Sequence, residues 1–243
     1  MKFTIFSASR LILVALGTAQ FNTLGHAHPS VTKRGAPIVM GLAESFGIIA
    51  GTTLTSTGAT LVTGDCGTCP GSSIAGFPPG SCTGITSAGG TTACDAEAAC
   101  QSAYTNARAV TPTSALPAAD LGGLTLAPGA YTFPTSAATL TGTLTLDGSS
   151  NAAGQFIFLI ETTFGAMAAS QVELINGAQA CNVFFVVGSS ASVGAAAALQ
   201  GNILAYTSIA VRDGASNQGT FCALHGAVTL INDAITAQPG CYT

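Results

Sequence analysis

The side chains able to do chemistry in this 243-residue chain are few. Beyond Arg34 it keeps one histidine, His225, and two basic residues, Arg108 and Arg212, with no lysine. Hydrolysis or elimination on a polysaccharide needs paired carboxylates, a basic residue or a metal ion. His225 directly follows a strand-like stretch and reads as a polar rim residue. No Ser-His-Asp elbow and no zinc-binding helix signature occurs. Asp65, Asp147 and Asp233 each lie beside turn residues, where Asp caps backbone amides. Cys66-x-x-Cys69 could be half a zinc site or a redox pair, but it has no neighbouring histidine. The expectation is a protein that is not an enzyme and needs no cofactor or metal.

Composition narrows the alternatives. Charged residues make up 7% and hydrophobic ones 48%, against roughly 25% charged in an average soluble domain. Such a chain must show Gly, Ala, Ser and Thr to solvent. From residue 35 onward it has two basic against ten acidic side chains, a formal net charge of −8. Nucleic acid and anionic membrane surfaces are both recognised through clustered Lys and Arg, so neither is an expected partner.

Residues 1–19 have the pattern of a signal peptide. Lys2 and Arg10 accompany the apolar run Leu11-Ile12-Leu13-Val14-Ala15-Leu16, and small residues follow around Gly17 and Ala19. The run is too short to span a bilayer, which takes about 20 apolar residues. Residues 20–34 read either as a pro-segment ending at Lys33-Arg34 or as an N-terminal stretch in which Lys33-Arg34 is a solvated charge pair. Residues 35–243 form the expected single domain of a secreted, extracellular protein. Cysteine then points to disulfides. Cys66, Cys69, Cys82, Cys94, Cys100, Cys222 and Cys241 are the candidates, alongside Cys181. Two bridges among the first five cysteines and Cys222 with Cys241 are expected.

Short Thr- and Val-rich pieces punctuated by Gly and Pro read as strands. One segment differs. Residues 91–109 carry Ala93, Ala96, Cys100, Tyr104 and Ala107 at three- and four-residue steps, predicting one helix with Thr91 or Thr92 as its cap. Near the C-terminus a repeat appears. Phe184-Phe185-Val186-Val187 returns as Ile203-Leu204-Ala205-Tyr206 and as Phe221-Cys222-Ala223-Leu224, at offsets of 19 and 18 residues. That period with several short strands per turn denotes a solenoid coil. Alternation places Ala191, Val193, Ile209, Val211, Val228 and Leu230 inside. Ser190, Ser192, Ser208, Ala210, Ala227 and Thr229 then face out, stacked from coil to coil. Thr53 with Thr55, and Thr143 with Thr145, form similar rows.

These stretches resemble the microbial β-solenoid ice-binding (antifreeze) family from about Leu42 to Thr236. Those that carry the resemblance include Ala43-Glu44-Ser45-Phe46-Gly47, Gly76-Phe77-Pro78-Pro79-Gly80 and Asp120-Leu121-Gly122-Gly123-Leu124-Thr125-Leu126-Ala127-Pro128-Gly129. Leu140-Thr141-Gly142-Thr143-Leu144-Thr145-Leu146-Asp147 and Ile175-Asn176-Gly177-Ala178-Gln179-Ala180-Cys181-Asn182-Val183-Phe184 continue it in order. The resemblance implies a mainly β fold: a right-handed discontinuous β-helix of triangular cross-section with one long helix packed alongside. It also implies a flat second face that adsorbs to ice, slowing ice growth and recrystallisation, in a protein expected to be a monomer. The Ala195–Ala198 run departs from the family pattern and is expected at the edge of that face. The alternative is a secreted or cell-wall β-helix adhesin that binds glycans without ice activity. With no Trp and four Tyr, a stacking platform for sugars is hard to assemble.

Overall fold

The computed structural model describes residues 36–238 and 240; the segments read as signal peptide and pro-segment, and Cys241, lie outside them. Short parallel strands wind into a three-sided β-solenoid with a nine-, a seven- and an eight-stranded sheet. The chain enters the stack in its middle, not at an end. Phe46–Ala50 pairs on one side with Asp65–Thr68 and on the other with Phe221–Ala223, the first-sheet strand of the last coil. The early coils build out to Thr86–Ala88, at one edge of the first sheet. The chain then crosses to the far edge, resumes at Ser114–Ala115 and coils back.

Helix α1 (Thr91–Arg108) makes most of that crossing. Its 18 residues span about 27 Å, and the nine-stranded edge-to-edge distance is about 38 Å at 4.7–4.9 Å per step. Ala93, Ala96, Cys100, Ala103 and Ala107 form its buried stripe. Small side chains let it lie close to the first sheet. Tyr104, expected in that stripe, sits at its margin, with its ring 6.1 Å from that of Tyr206. Gly90 is the cap and Thr91 is already helical, so no side chain caps the first turn.

Because α1 covers it, the first sheet is buried on both faces, and its strands read as unbroken apolar runs such as Phe156–Ile160 and Val183–Val187. Phe158 and Phe185 point into the coil, while Ile157, Leu159, Phe184 and Val186 meet the helix. Inside the coil the rings of Tyr131, Phe158, Phe185 and Phe164 stack at centroid distances of 4.9–5.6 Å. The second and third sheets bury one face only and alternate, as expected.

Three bridges pin this frame: Cys66–Cys82, Cys69–Cys94 and Cys100–Cys222. The first two are the expected pair among the first five cysteines. The third corrects the Cys222–Cys241 expectation, because α1 lays Cys100 over the strand holding Cys222. Cys181 is disulfide-bonded as well.

Candidate functional site

The second sheet stacks, in order, Ala138–Leu140, Phe164–Ala166, Ala191–Val193, Ile209–Val211, Val228–Ile231, Thr53–Thr57 and Ser73–Ala75. Their inward neighbours are apolar and buried: Ile209, Val211, Val228, Leu230 and Leu54 among them. That alternation turns every second residue outward, and one from each strand falls in a central column. Register aligns these as Thr139, Gly165, Ser192, Ala210, Thr229, Thr55 and Ala75. This central column crosses all seven strands, is uncharged, and holds nothing longer than Thr; beyond its first strand Asp120 bridges to Thr139. Parallel pairing at about 4.8 Å per step fixes its spacing.

A second outward column precedes it, with Ser190, Ser208, Ala227 and Thr53 half-buried. The Oγ of Ser190 accepts the N–H of Ser208 at 3.3 Å, and the Oγ of Ser208 accepts that of Ala227 at 3.2 Å. These two hydroxyls are thus drawn into the ladder between coils.

Charges lie at the borders of this sheet. At the corner shared with the first sheet, Arg108 pairs with Glu161 at 2.8 Å. His225 stands at the same corner against Tyr206, with ring centroids 4.4 Å apart and its Nδ1 3.1 Å from the Tyr206 carbonyl oxygen. Arg212 and Asp213 mark the opposite corner, where Asp213 accepts a hydrogen bond from Asn232 at 2.8 Å. The Ala195–Ala198 run forms this corner and starts a third-sheet strand, so it borders the column without entering it.

Thr143 and Thr145 belong elsewhere. They face outward on the third sheet, paired with Gln171 and Glu173. That sheet carries long polar side chains, with Gln200 beside Gln218, and Gln171, Glu173, Gln200 and Gln218 line a shallow open recess on it. Eight of the ten sequence-derived surface residues therefore share the second sheet, and two lie on the third, Thr145 beside the charged Glu173.

The groups that chemistry would have used serve the backbone instead. Asp65 accepts the N–H of Ile85 at 2.6 Å, and Asp147 those of Ser149 and the Asn176 side chain, each at 2.8 Å. Asp233 is buried and accepts two amides, from Ala215 at 2.9 Å and Ile231 at 2.7 Å. Burial pushes its carboxyl up to about 6, against the pull of those amides and with the nearby Asp213 charge adding to the rise.

Sequence reasoning missed Thr139, Gly165 and Ala75. The signal was an apolar–small–apolar tripeptide, as in Ala138-Thr139-Leu140 and Phe164-Gly165-Ala166. It was hidden because those outward positions stand 26 and 27 residues from the next, beyond the 18–19-residue period. Extra loop residues in those coils, such as Gly148–Gln155 and Asn176–Asn182, account for the difference.

The family described as Ice-binding-like matches residues 48–236. An ice-binding protein of Nostoc sp. (strain HG1) is 40% identical over 206 residues, 84% of this chain and 75% of its own length. One of Flavobacterium frigoris (strain PS1) is 30% identical over 81% of this chain and 75% of its own. Among solved structures, the ice-binding protein of the Antarctic ascomycete Antarctomyces psychrotrophicus superposes with a TM-score of 0.80 at 39% identity, covering 84% of this chain and all of that one. The DUF3494 domain of Shewanella frigidimarina ice-binding protein 1 does so at 0.74 and 27%, covering 86% and all of that chain. Parallel three-sheet architecture, flanking helix and the match over most of its length together place this chain in the microbial ice-binding protein family.

Proposed function

We propose that this protein adsorbs to ice through its second sheet, and that it is secreted and works there as a non-enzymatic monomer. The observation that carries this reading is the uncharged column from Thr139 to Ala75, in register across seven coils. A charged group would hold its own tight hydration shell. Methyls of Ala and Thr leave nearby water weakly held, while hydroxyls of Thr and Ser anchor waters at fixed points. Strand spacing of about 4.8 Å in one direction and about 6.6–6.8 Å between alternate residues in the other sets a rigid two-dimensional grid. The closed backbone ladder, α1 and the disulfides keep that grid from flexing. Bound molecules then pin the ice front between adsorption points, which lowers the freezing point and slows recrystallisation.

The third sheet is the weaker candidate on physical grounds, because it presents the charged, exposed Glu173 and long polar side chains. The adhesin alternative finds no support in the family match. Secretion is supported by the leader-like residues 1–19 and the disulfide set; among the described residues no helix is long and apolar enough to cross a membrane.

Nanolitre osmometry with crystal imaging tests the face. Thr229→Tyr puts a bulky ring in the central column, and Thr145→Tyr puts the same ring on the third sheet. Thr229→Tyr is expected to abolish the melting–freezing gap and ice shaping, while Thr145→Tyr retains both, with unchanged circular dichroism in each. The reverse pattern would assign ice contact to the third sheet.

A further inference from the structure

Gly165 is the one position in the central column without a side chain, yet a methyl group stands beside it. A Cβ built on Gly165 would lie 3.5 Å from the Cε of Met167 and 3.6 Å from the Oγ of Ser192. Met167 is two residues further on, so it points to the same side of the sheet. Its N–H donates to the Leu140 carbonyl at 2.9 Å, which continues the ladder past the end of the strand. The side chain is 45% exposed and leans back along the strand toward the column. A flexible, unbranched thioether is suited to fill such a gap.

We infer that Met167 is part of the ice-contact face, its Cε methyl standing in contact with the grid position that Gly165 leaves without a side chain. This rests on the second sheet being that face. The column then runs from Thr139 through a methyl group to Ser192 without a notch. One chemical consequence follows for the same atom group. A hydroperoxide transfers one oxygen atom to the Met167 sulfur, which is oxidised by two electrons, and the peroxide leaves as water or alcohol. The sulfoxide oxygen is polar and binds water strongly at a place where the face presents a methyl. Met40 is buried at 5% exposure and the described cysteines are all bonded. Met167 is therefore the exposed thioether among the described residues.

The test compares five samples by nanolitre osmometry: wild type, Thr229→Tyr, Met167→Ala, the double variant Met167→Ala/Gly165→Thr, and peroxide-treated wild type with sulfoxide at residue 167 confirmed by peptide mass. Thermal melts establish that each is folded. Gly165 is not among the left-handed backbone positions, and ordinary contact distances surround its Cβ direction, so a Thr fits once the Met side chain is gone. Met167→Ala and the sulfoxide are expected to show a gap between those of wild type and Thr229→Tyr, and the double variant to recover toward wild type. A wild-type gap in Met167→Ala or in the sulfoxide form, or no recovery in the double variant, overturns the inference while Thr229→Tyr keeps the face in place. A wild-type gap in Thr229→Tyr instead overturns the face itself.

Discussion

Ala169 and Ala196 hold φ values of 56° and 55°, and Asn232 and Gly214 stand at 52° and 72°. Each lies two residues before a third-sheet strand, so one left-handed corner recurs in four successive coils. Left-handed backbone costs an L-residue about 1–2 kcal/mol, and glycine gives back about 0.5–1 kcal/mol of that through its larger unfolded entropy. Ala196→Gly is therefore expected to stabilise the protein by about 0.5–1 kcal/mol, read from denaturant midpoints. The neighbouring corner holds Asp233, which binds its proton more tightly folded, at about 6, than unfolded, at about 3.9. Its contribution is full below about pH 4 and is lost as pH rises through about 6. Asp120 and Asp147 shift downward, the first because hydrogen bonds from Thr141 and backbone amides outweigh its desolvation, the second through Asn176 and Ser149. Both are present in wild type and in Asp233→Asn alike. The melting temperature of wild type minus that of Asp233→Asn should thus fall across pH 4 to 6; a constant difference would show that residue 233 does not titrate there.

At the scale of elements, α1 shows how far a pattern can be trusted. Its bounds and apolar stripe were legible in the spacing of Ala93, Ala96, Cys100 and Ala107, because a helix buries one face at a fixed period. What it lies against was not legible, since an alanine stripe carries no address. Cys100–Cys222 supplies that address across 122 residues. Chain-entropy reasoning assigns such a loop roughly 4–5 kcal/mol. Cys100→Ala/Cys222→Ala is expected to lose stability of that order in denaturant unfolding, with the gap retained at 0 °C because the second sheet lies on the far side of the core from α1. Loss of ice activity in a folded double variant would mean that the helix brace governs the flatness of the second sheet.

At the scale of the whole molecule, the second sheet stands out because its charges are sorted to its borders. Glu161, Arg108 and His225 line one border of the second sheet, Arg212 and Asp213 the other, and Asp120 its end beside Thr139, while the seven residues of the column hold no titratable group. The melting–freezing gap should accordingly stay level between about pH 5 and 9, since Asp233, the carboxyl raised to about 6, is buried and outside that column. A gap that tracks a single titration across that range would place an ionising group in the ice contact.

The sequence by itself determined the solenoid, the helix, the inward alternation and the scarcity of charge, because each follows from local periodicity and composition. It also placed six of the ten surface residues on one sheet, through the 18–19-residue repeat. Only the tertiary structure decided the rest. Thr55 lies beside Thr229 because the chain enters its own stack in the middle, a pairing across 174 residues that no local period encodes. Thr143 and Thr145 turned to another sheet because the corner at Gly142, like that before each third-sheet strand, starts a new side of the coil. Met167 reached the column because its flexible side chain folded over a glycine, a contact set by packing in space and not by position in the chain.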